Sequence, residues 1–286
     1  MLFNVDHPRK HPDPPPCMVD WDLVKRLGRF QPVSGVPDLM HHKYCVRDGS
    51  AVWTGSTNWT DDSWTREENV IVEIASPELA ARYLADFEEL WATKNVAASG
   101  HETPEWLPLP GGRRLRAFFT PGKARRLVHE IAERIGHAQR RLRICSPVIT
   151  SGPILGTLAE VVENPRLDIR GCYDGTQMAE VLRQWAGNPH AAWKIAAFQA
   201  VVASVKLGAK ASTPWQEGSV HDFMHAKCLV ADDTVFVGSY NLSHSGELNA
   251  ENVVEIEDAG LADTFSAYIE GVAARYAPGP GLHSGI

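Results

Sequence analysis

The strongest constraint on this chain is a polar pattern that it carries twice. Asp38-Leu39-Met40-His41-His42-Lys43 runs on to Asp48, then to Gly55-Ser56-Thr57-Asn58, then to Glu68-Asn69-Val70. Asp222-Phe223-Met224-His225-Ala226-Lys227 runs on to Asp232, Gly238-Ser239-Tyr240-Asn241 and Glu251-Asn252-Val253. The repeat pairs His41 with His225, Lys43 with Lys227, Asp48 with Asp232, Ser56 with Ser239, Asn58 with Asn241 and Glu68 with Glu251. Packing selects an apolar period and leaves polar identities free. Two copies of the same polar set therefore point to two homologous halves that share one chemistry.

The pattern predicts similar local structure around each copy. Met40–Val46 alternates as a strand, which puts His41 and Lys43 on one side and His42 on the other. Ala51–Thr54 and Val70–Ile74 read as further strands, with Gly55-Ser56 in a turn between them. Ser76-Pro77-Glu78 opens a helix, with a serine cap, a first-turn proline and an acidic residue at the positive end. Further along, strands at 115–119, 142–145 and 167–173 alternate with helices at 121–137, 154–162 and within 177–207. The second motif, a strand at 253–256 and a closing helix at 261–276 complete the pattern. Alternation of strands and helices predicts an α/β class with a mainly parallel sheet. The Pro-rich stretch Pro12–Pro16 excludes helix there, residues 19–28 read as a short helix, and the Pro-Gly tail after Ala277 reads as loose.

His-x-Lys-x4-Asp followed by Gly-Ser-x-Asn resembles the signature of the phospholipase D superfamily, in which two copies per chain are usual. The resemblance covers roughly residues 38–91 and 113–276. It implies two α/β sandwich halves packed about a pseudo-two-fold. The expected division is a first half at 1–98, a linker at 99–112 and a second half at 113–286. The strand Leu2–Asp6 matches Leu167–Asp174, yet strand–helix units precede only the latter, so the first half reads as shortened at its start.

If the halves pack face to face, the two polar sets converge on a cationic site suited to a tetrahedral anion. The lysines supply charge, while Ser56, Asn58, Ser239 and Asn241 supply neutral donors to the phosphate. The resemblance implies a covalent phosphohistidine: one imidazole attacks phosphorus and the other protonates the leaving alcohol. It favours His41 as nucleophile, although the residues themselves leave the order open. Glu68 and Glu251 are the candidates to hold the histidine rings. Asp48 and Asp232 read as turn or structural carboxylates, and His42 as structural. No metal ligand set or cofactor is expected, so the catalytic set is His41, Lys43, His225, Lys227, Glu68 and Glu251.

Composition narrows the partners less than the motif does. A net charge of −7 over 286 residues, with 44% hydrophobic and 22% charged, gives no global case for a nucleic-acid binder. Arg113, Arg114, Arg116, Lys123, Arg125, Arg126, Arg134, Arg140, Arg141 and Arg143 form a local basic cluster, read first as a solvated surface and second as an anion-binding face. Trp53, Trp59, Trp64 and Trp215 lie near the motifs, and at least half of them are expected in the core. The five cysteines lack disulfide or zinc spacing and read as buried thiols. No apolar run is long enough to span a membrane, and the N-terminus lacks a leader pattern, so the expectation is a cytoplasmic monomer with peripheral membrane contact. The expected substrate is a phospholipid headgroup ester. A metal-independent nuclease on DNA or RNA and an inactive binding module are the other readings.

Overall fold

The fold is described from a computed structural model, in which residues 1–5, 26, 28–205, 207–216 and 218–276 are described. The expected Pro-rich loop, most of the helix expected at 19–28, Asp6, Cys17 and the tail after Tyr276 lie outside the described residues.

The first half begins with β1 (Leu2–Asn4) and β2 (Gln31–Val33), a parallel pair. A three-stranded antiparallel sheet follows, in the order β3 (Tyr44–Arg47), β4 (Ala51–Gly55), β5 (Ile71–Ala75). The short helix α1 (Asp61–Thr65) links β4 to β5, and α2 (Pro77–Thr93) closes the half. As the sequence predicts, Ser76 caps α2: its hydroxyl accepts from the Leu79 N–H at 3.1 Å.

The second half carries β6 (Leu107–Pro108), β7 (Arg114–Phe119), α3 (Ala124–His137), β8 (Arg141–Ser146), α4 (Gly152–Val161), β9 (Asp168–Asp174), α5 (Gly175–Ala186) and α6 (Ala192–Ser204). It continues with β10 (Gly208–Lys210), β11 (Cys228–Ala231), β12 (Thr234–Gly238), α7 (His244–Leu248), β13 (Asn252–Glu257) and α8 (Ala259–Ala273). Its strands form one eight-stranded sheet in the order β10-β9-β8-β11-β12-β13-β7-β6.

The class is α/β, but the sheets are not mainly parallel. Only β10–β9 and β9–β8 pair in parallel within the large sheet; the remaining neighbours and the whole three-stranded sheet are antiparallel. The reason is local. Only Asp232 and Asp233 separate β11 from β12, and a connection that short can join only antiparallel strands. Asp232 sits at φ 52°, and in the first half Asp48 and Gly49 sit at φ 52° and 61°. Both motif aspartates thus make tight left-handed turns, a position that Asp tolerates better than most residues.

Two cores hold the layers. One lies between the large sheet and its covering helices and includes Leu127, Ile131, Ile135, Ile154, Leu158, Leu229 and Phe236. The other lies between the two sheets, where Leu79 and Tyr83 of α2 and Phe265 and Ile269 of α8 pack against Val52, Phe119, Met224, Val230 and Val254. This shared second core joins the halves. Among the described residues β5 and β3 have no strand beyond them, whereas their counterparts β13 and β11 are flanked by β7 and β8. Among the described residues the outer face of the three-stranded sheet carries exposed Cys45, Arg47 and Glu73. Cys45 is therefore not the buried thiol expected, because no described helix covers it as helices cover its counterpart Leu229. Cys145, Cys172 and Cys228 are buried, as expected.

Candidate active site

The two motifs meet across the second core, and each half holds the other's histidine. The His41 N–H donates to the Ala250 carbonyl at 2.9 Å, and the His225 N–H donates to the Glu68 carbonyl at 3.0 Å. His41 and Lys43, like His225, precede their hairpin strands in extended chain rather than lying within them. The side chains follow the same crosswise rule. His41 Nδ1 lies 2.7 Å from Glu251 Oε2, and His225 Nδ1 lies 3.1 Å from Asn69 Oδ1 with Glu67 Oε2 at 3.4 Å.

Glu68 does not take the place expected of it. Its carboxylate binds Lys210 at 2.6 Å and accepts from the Tyr276 hydroxyl, away from His225. The cause is a one-residue difference in register. The Ser56 N–H donates to the Val70 carbonyl, but the Ser239 N–H donates to the Asn252 carbonyl. Asn69 thus occupies the station of Glu251, and Glu68 that of Ala250, because the first connection is one residue longer. The repeated Glu-Asn-Val triplet conceals this shift, and the doubled Glu67-Glu68 is the one sequence signal that an alternative register exists. The same correction applies upstream. Asn4 stands where Asp174 does: Asn4 Oδ1 accepts from the Met40 N–H at 3.1 Å, as Asp174 Oδ2 accepts from the Met224 N–H at 3.0 Å.

Ser56 and Ser239 are not placed as phosphate donors either. Both are fully buried. The Ser56 hydroxyl donates to Asn69 Oδ1 at 2.7 Å and accepts from the Val70 N–H at 2.9 Å, which uses both of its capacities. Ser239 accepts from the Asn252 N–H at 3.0 Å and helps to hold the Glu251 carboxyl below its ordinary value. Each serine therefore orients the group that holds the other half's histidine. Asn58 and Asn241 stand at the strand-end turns, partly exposed, and the Asn241 Oδ1 is buried without a hydrogen-bond partner. Asn252 sits in the joint between the halves, accepting from Thr54 at 2.6 Å and Tyr83 at 3.1 Å.

The lysines are nearly enclosed, at 4% exposure for Lys43 and 3% for Lys227. Each ammonium donates to the carbonyl of its own motif histidine, Lys43 at 2.9 Å and Lys227 at 2.7 Å. Burial brings Lys43 down to about 8, against the pull of Glu251 and Glu67. Burial and then the neighbouring Lys43 push Lys227 well below its ordinary value. Burial likewise lowers His41, opposed by Glu251, and lowers His225 further, helped by Lys227 and Lys43. Burial pushes the Glu251 carboxyl up, but His41 and Lys43 outweigh it and hold it below the usual range. Four basic groups within electrostatic reach of one another, whose charged forms burial disfavours, are what an anion would satisfy.

His42 faces away from this cluster. It packs edge-on to Tyr44 and Phe119 and lies 3.2 Å from buried Asp86. Burial drives His42 to about 3 and Asp86 to about 8, so the pair is uncharged near neutrality. Asp232 accepts the N–H groups of Gln139, Arg140 and Arg141 at 2.9, 2.8 and 3.1 Å, which fixes the start of β8. The basic cluster is largely spent on ion pairs: Arg113 with Asp258, Arg114 with Glu257, Arg116 and Arg134 with Glu255, Arg140 with Asp233, Arg141 with Asp263, Arg143 with Asp168.

Comparison with known proteins agrees with this architecture. The family profile described as "Cardiolipin synthase, PLD-like domain" matches residues 22–91 and 131–273. A mitochondrial cardiolipin hydrolase of Chlamydomonas reinhardtii is 35% identical over 52 residues, 18% of this chain and 23% of that protein. One of Xenopus tropicalis is 42% identical over 60 residues, 21% of this chain and 28% of that protein. The chain thus spans about a quarter of the length of these relatives. The crystal structure of phosphatidylserine synthase from Haemophilus influenzae superposes with a TM-score of 0.64 at 16% identity, over 95% of this chain and 72% of that one, so the fold is shared. With the profile matching well over half its length, in both halves, the chain belongs to the phospholipase D superfamily.

Proposed function

We propose that the protein cleaves phosphodiester bonds of phospholipid headgroups through a phosphohistidine on His41. The Nε2 of His41 attacks phosphorus. The bond from phosphorus to the leaving alcohol breaks, and His225 gives that oxygen its proton. Neutral His225 then takes a proton from water or an acceptor alcohol, which attacks phosphorus and breaks the P–N bond. Lys43, Lys227, Asn58 and Asn241 bear the charge of the pentacovalent phosphorus. A half-turn of the Asn241 amide places its NH2 where the unpartnered oxygen now lies.

The observation that carries the division of roles is the unequal support of the two rings. Glu251 presents a carboxylate to His41 Nδ1, which stabilises the cationic phosphohistidine. His225 has a neutral amide, Asn69, as its hydrogen-bond partner and a carboxylate, Glu67, only at the longer distance of 3.4 Å, which holds its proton less firmly. Phospholipid is preferred as substrate for three reasons: the chain is acidic overall, its arginines are engaged by carboxylates, and its relatives carry cardiolipin names.

The test is headgroup release from phosphatidylcholine and cardiolipin vesicles in the presence of chelator, beside nicking of single-stranded DNA. The expected result is release that is lost in both His41→Ala and His225→Ala. DNA nicking with the same dependence, and no lipid cleavage, would make the protein a nuclease instead. Activity surviving either substitution would end the shared-site mechanism.

A further inference from the structure

We propose that Trp53, Trp59 and Trp64, with the adjoining Trp215 and Val220, form a docking surface that seats the site on the headgroup region of a zwitterionic phospholipid bilayer. This rests on the phospholipid reading above and adds how such a substrate is reached. The three indoles are one cluster: the Trp53 ring lies 5.0 Å from that of Trp59 and 6.1 Å from that of Trp64. Trp59 and Trp64 remain 64% and 56% exposed, so the expectation that half of these tryptophans are core is overturned. Their counterpart in the other half explains why. Trp53 answers Phe236, which is buried under the helices of the first core, whereas no described helix covers Trp53.

The cluster is tied to the catalytic wall. Trp59 follows Asn58 directly. Trp64 follows Ser63, whose hydroxyl bonds Glu67 at 2.6 Å and whose carbonyl accepts from Asn69 at 3.0 Å, the two groups beside His225 Nδ1. The segment 218–222 docks on the same helix, where the His221 N–H donates to Asp62 at 2.8 Å, and exposed Val220 and Trp215 adjoin it. An exposed apolar patch beside a site marks a binding surface. Indoles combine an apolar body with an N–H donor and partition to the headgroup level of bilayers. Asp62 is paired with Arg66 at 2.9 Å, which among the described residues leaves Asp61 as the unpaired charge at the start of α1, and this negative charge favours a zwitterionic surface over nucleic acid or a strongly anionic membrane.

The test uses the full chain with phosphatidylcholine vesicles. Brominated phosphatidylcholine is expected to quench the intrinsic tryptophan fluorescence of the unmodified protein. Cosedimentation with plain vesicles is expected to fall about tenfold in the Trp59→Ala/Trp64→Ala double variant. Cleavage of vesicle phosphatidylcholine should fall in parallel, while hydrolysis of soluble bis(4-nitrophenyl) phosphate stays within about twofold, which also shows that the variant is folded. Absence of quenching, or equal vesicle binding by the variant, overturns the proposal. So does a dimer of the unmodified protein that the double variant converts to monomer, since a second copy then covers the patch. Loss of single-stranded DNA binding with vesicle binding intact overturns it as well. If tryptophan-dependent vesicle binding is found but no phosphodiester is cleaved, the docking surface stands and the proposed activity falls.

Discussion

A single residue of register separates a carboxylate from an amide at the two histidines. Because Glu251 holds His41 while Glu68 is engaged by Lys210, two chemically identical substitutions should behave differently. Glu251→Gln is expected to lower kcat by about a hundredfold or more, because the ring loses the charge that stabilises its cationic form. Glu68→Gln should leave kcat within about tenfold and instead cost roughly 3 kcal/mol of stability, since it strands a buried lysine. Steady-state kinetics on a soluble phosphodiester and urea denaturation separate the two. The lysines make a second prediction. Burial brings Lys43 down to about 8 and pushes Lys227 well below its ordinary value, and a bound anion favours their charged forms. Inorganic phosphate should therefore bind with net proton uptake at pH 7.5, read by calorimetry in buffers of different ionisation enthalpy. Its affinity should weaken as pH rises through about 8, and pH-independent binding would exclude the lysines as its anchors.

At the scale of the hairpins, the two motif aspartates are equal in sequence and in turn conformation but not in load. Asp232 ties three N–H groups at the start of β8, and Asp48 has no such strand to tie. Asp232→Ala should cost about 2 kcal/mol and Asp48→Ala less than about 1 kcal/mol, by urea midpoint at constant slope. Burial opposes the charge on Asp232, but its N–H partners outweigh that and depress its pKa. Its contribution is thus present above the unfolded carboxylate value, near 4, and is lost as pH falls through the lower folded value. The gap between the unmodified chain and Asp232→Ala should close below about pH 4. These hairpins also mark what the sequence can convey. The repeat reveals the strands, the turns and the helix cap at Ser76. Period-two alternation is silent on strand direction, so a mainly parallel sheet was the natural expectation until the two-residue gap between Ala231 and Thr234 is weighed. The serines show the other limit. Gly-Ser-x-Asn marks a conserved-looking turn within the chain, but only the register reveals that Ser56 and Ser239 face the neighbouring strand rather than the anion.

At the scale of the whole molecule, the duplication yields one site rather than two. Each half contributes a histidine and a lysine, and each supplies the backbone carbonyl and side chain that hold the other half's ring. That convergence was legible from the paired motifs. The unequal halves were legible only in part, because the consequence of an uncovered sheet face depends on where Trp53, Trp59 and Trp64 pack. Among the described residues no helix is long and apolar enough to cross a membrane. The crosswise site, with unequal roles for its two histidines, is tested most directly by locating the covalent intermediate. The protein bearing His225→Asn, which lacks the acid of the first step and the base of the second, is mixed with an activated phosphodiester, quenched in alkali and mapped by mass spectrometry. The account predicts a phosphoryl adduct on the peptide containing His41, absent when Glu251→Gln is combined with His41→Ala. An adduct on any other residue, or an adduct on His225 in the protein with both histidines intact, would contradict it.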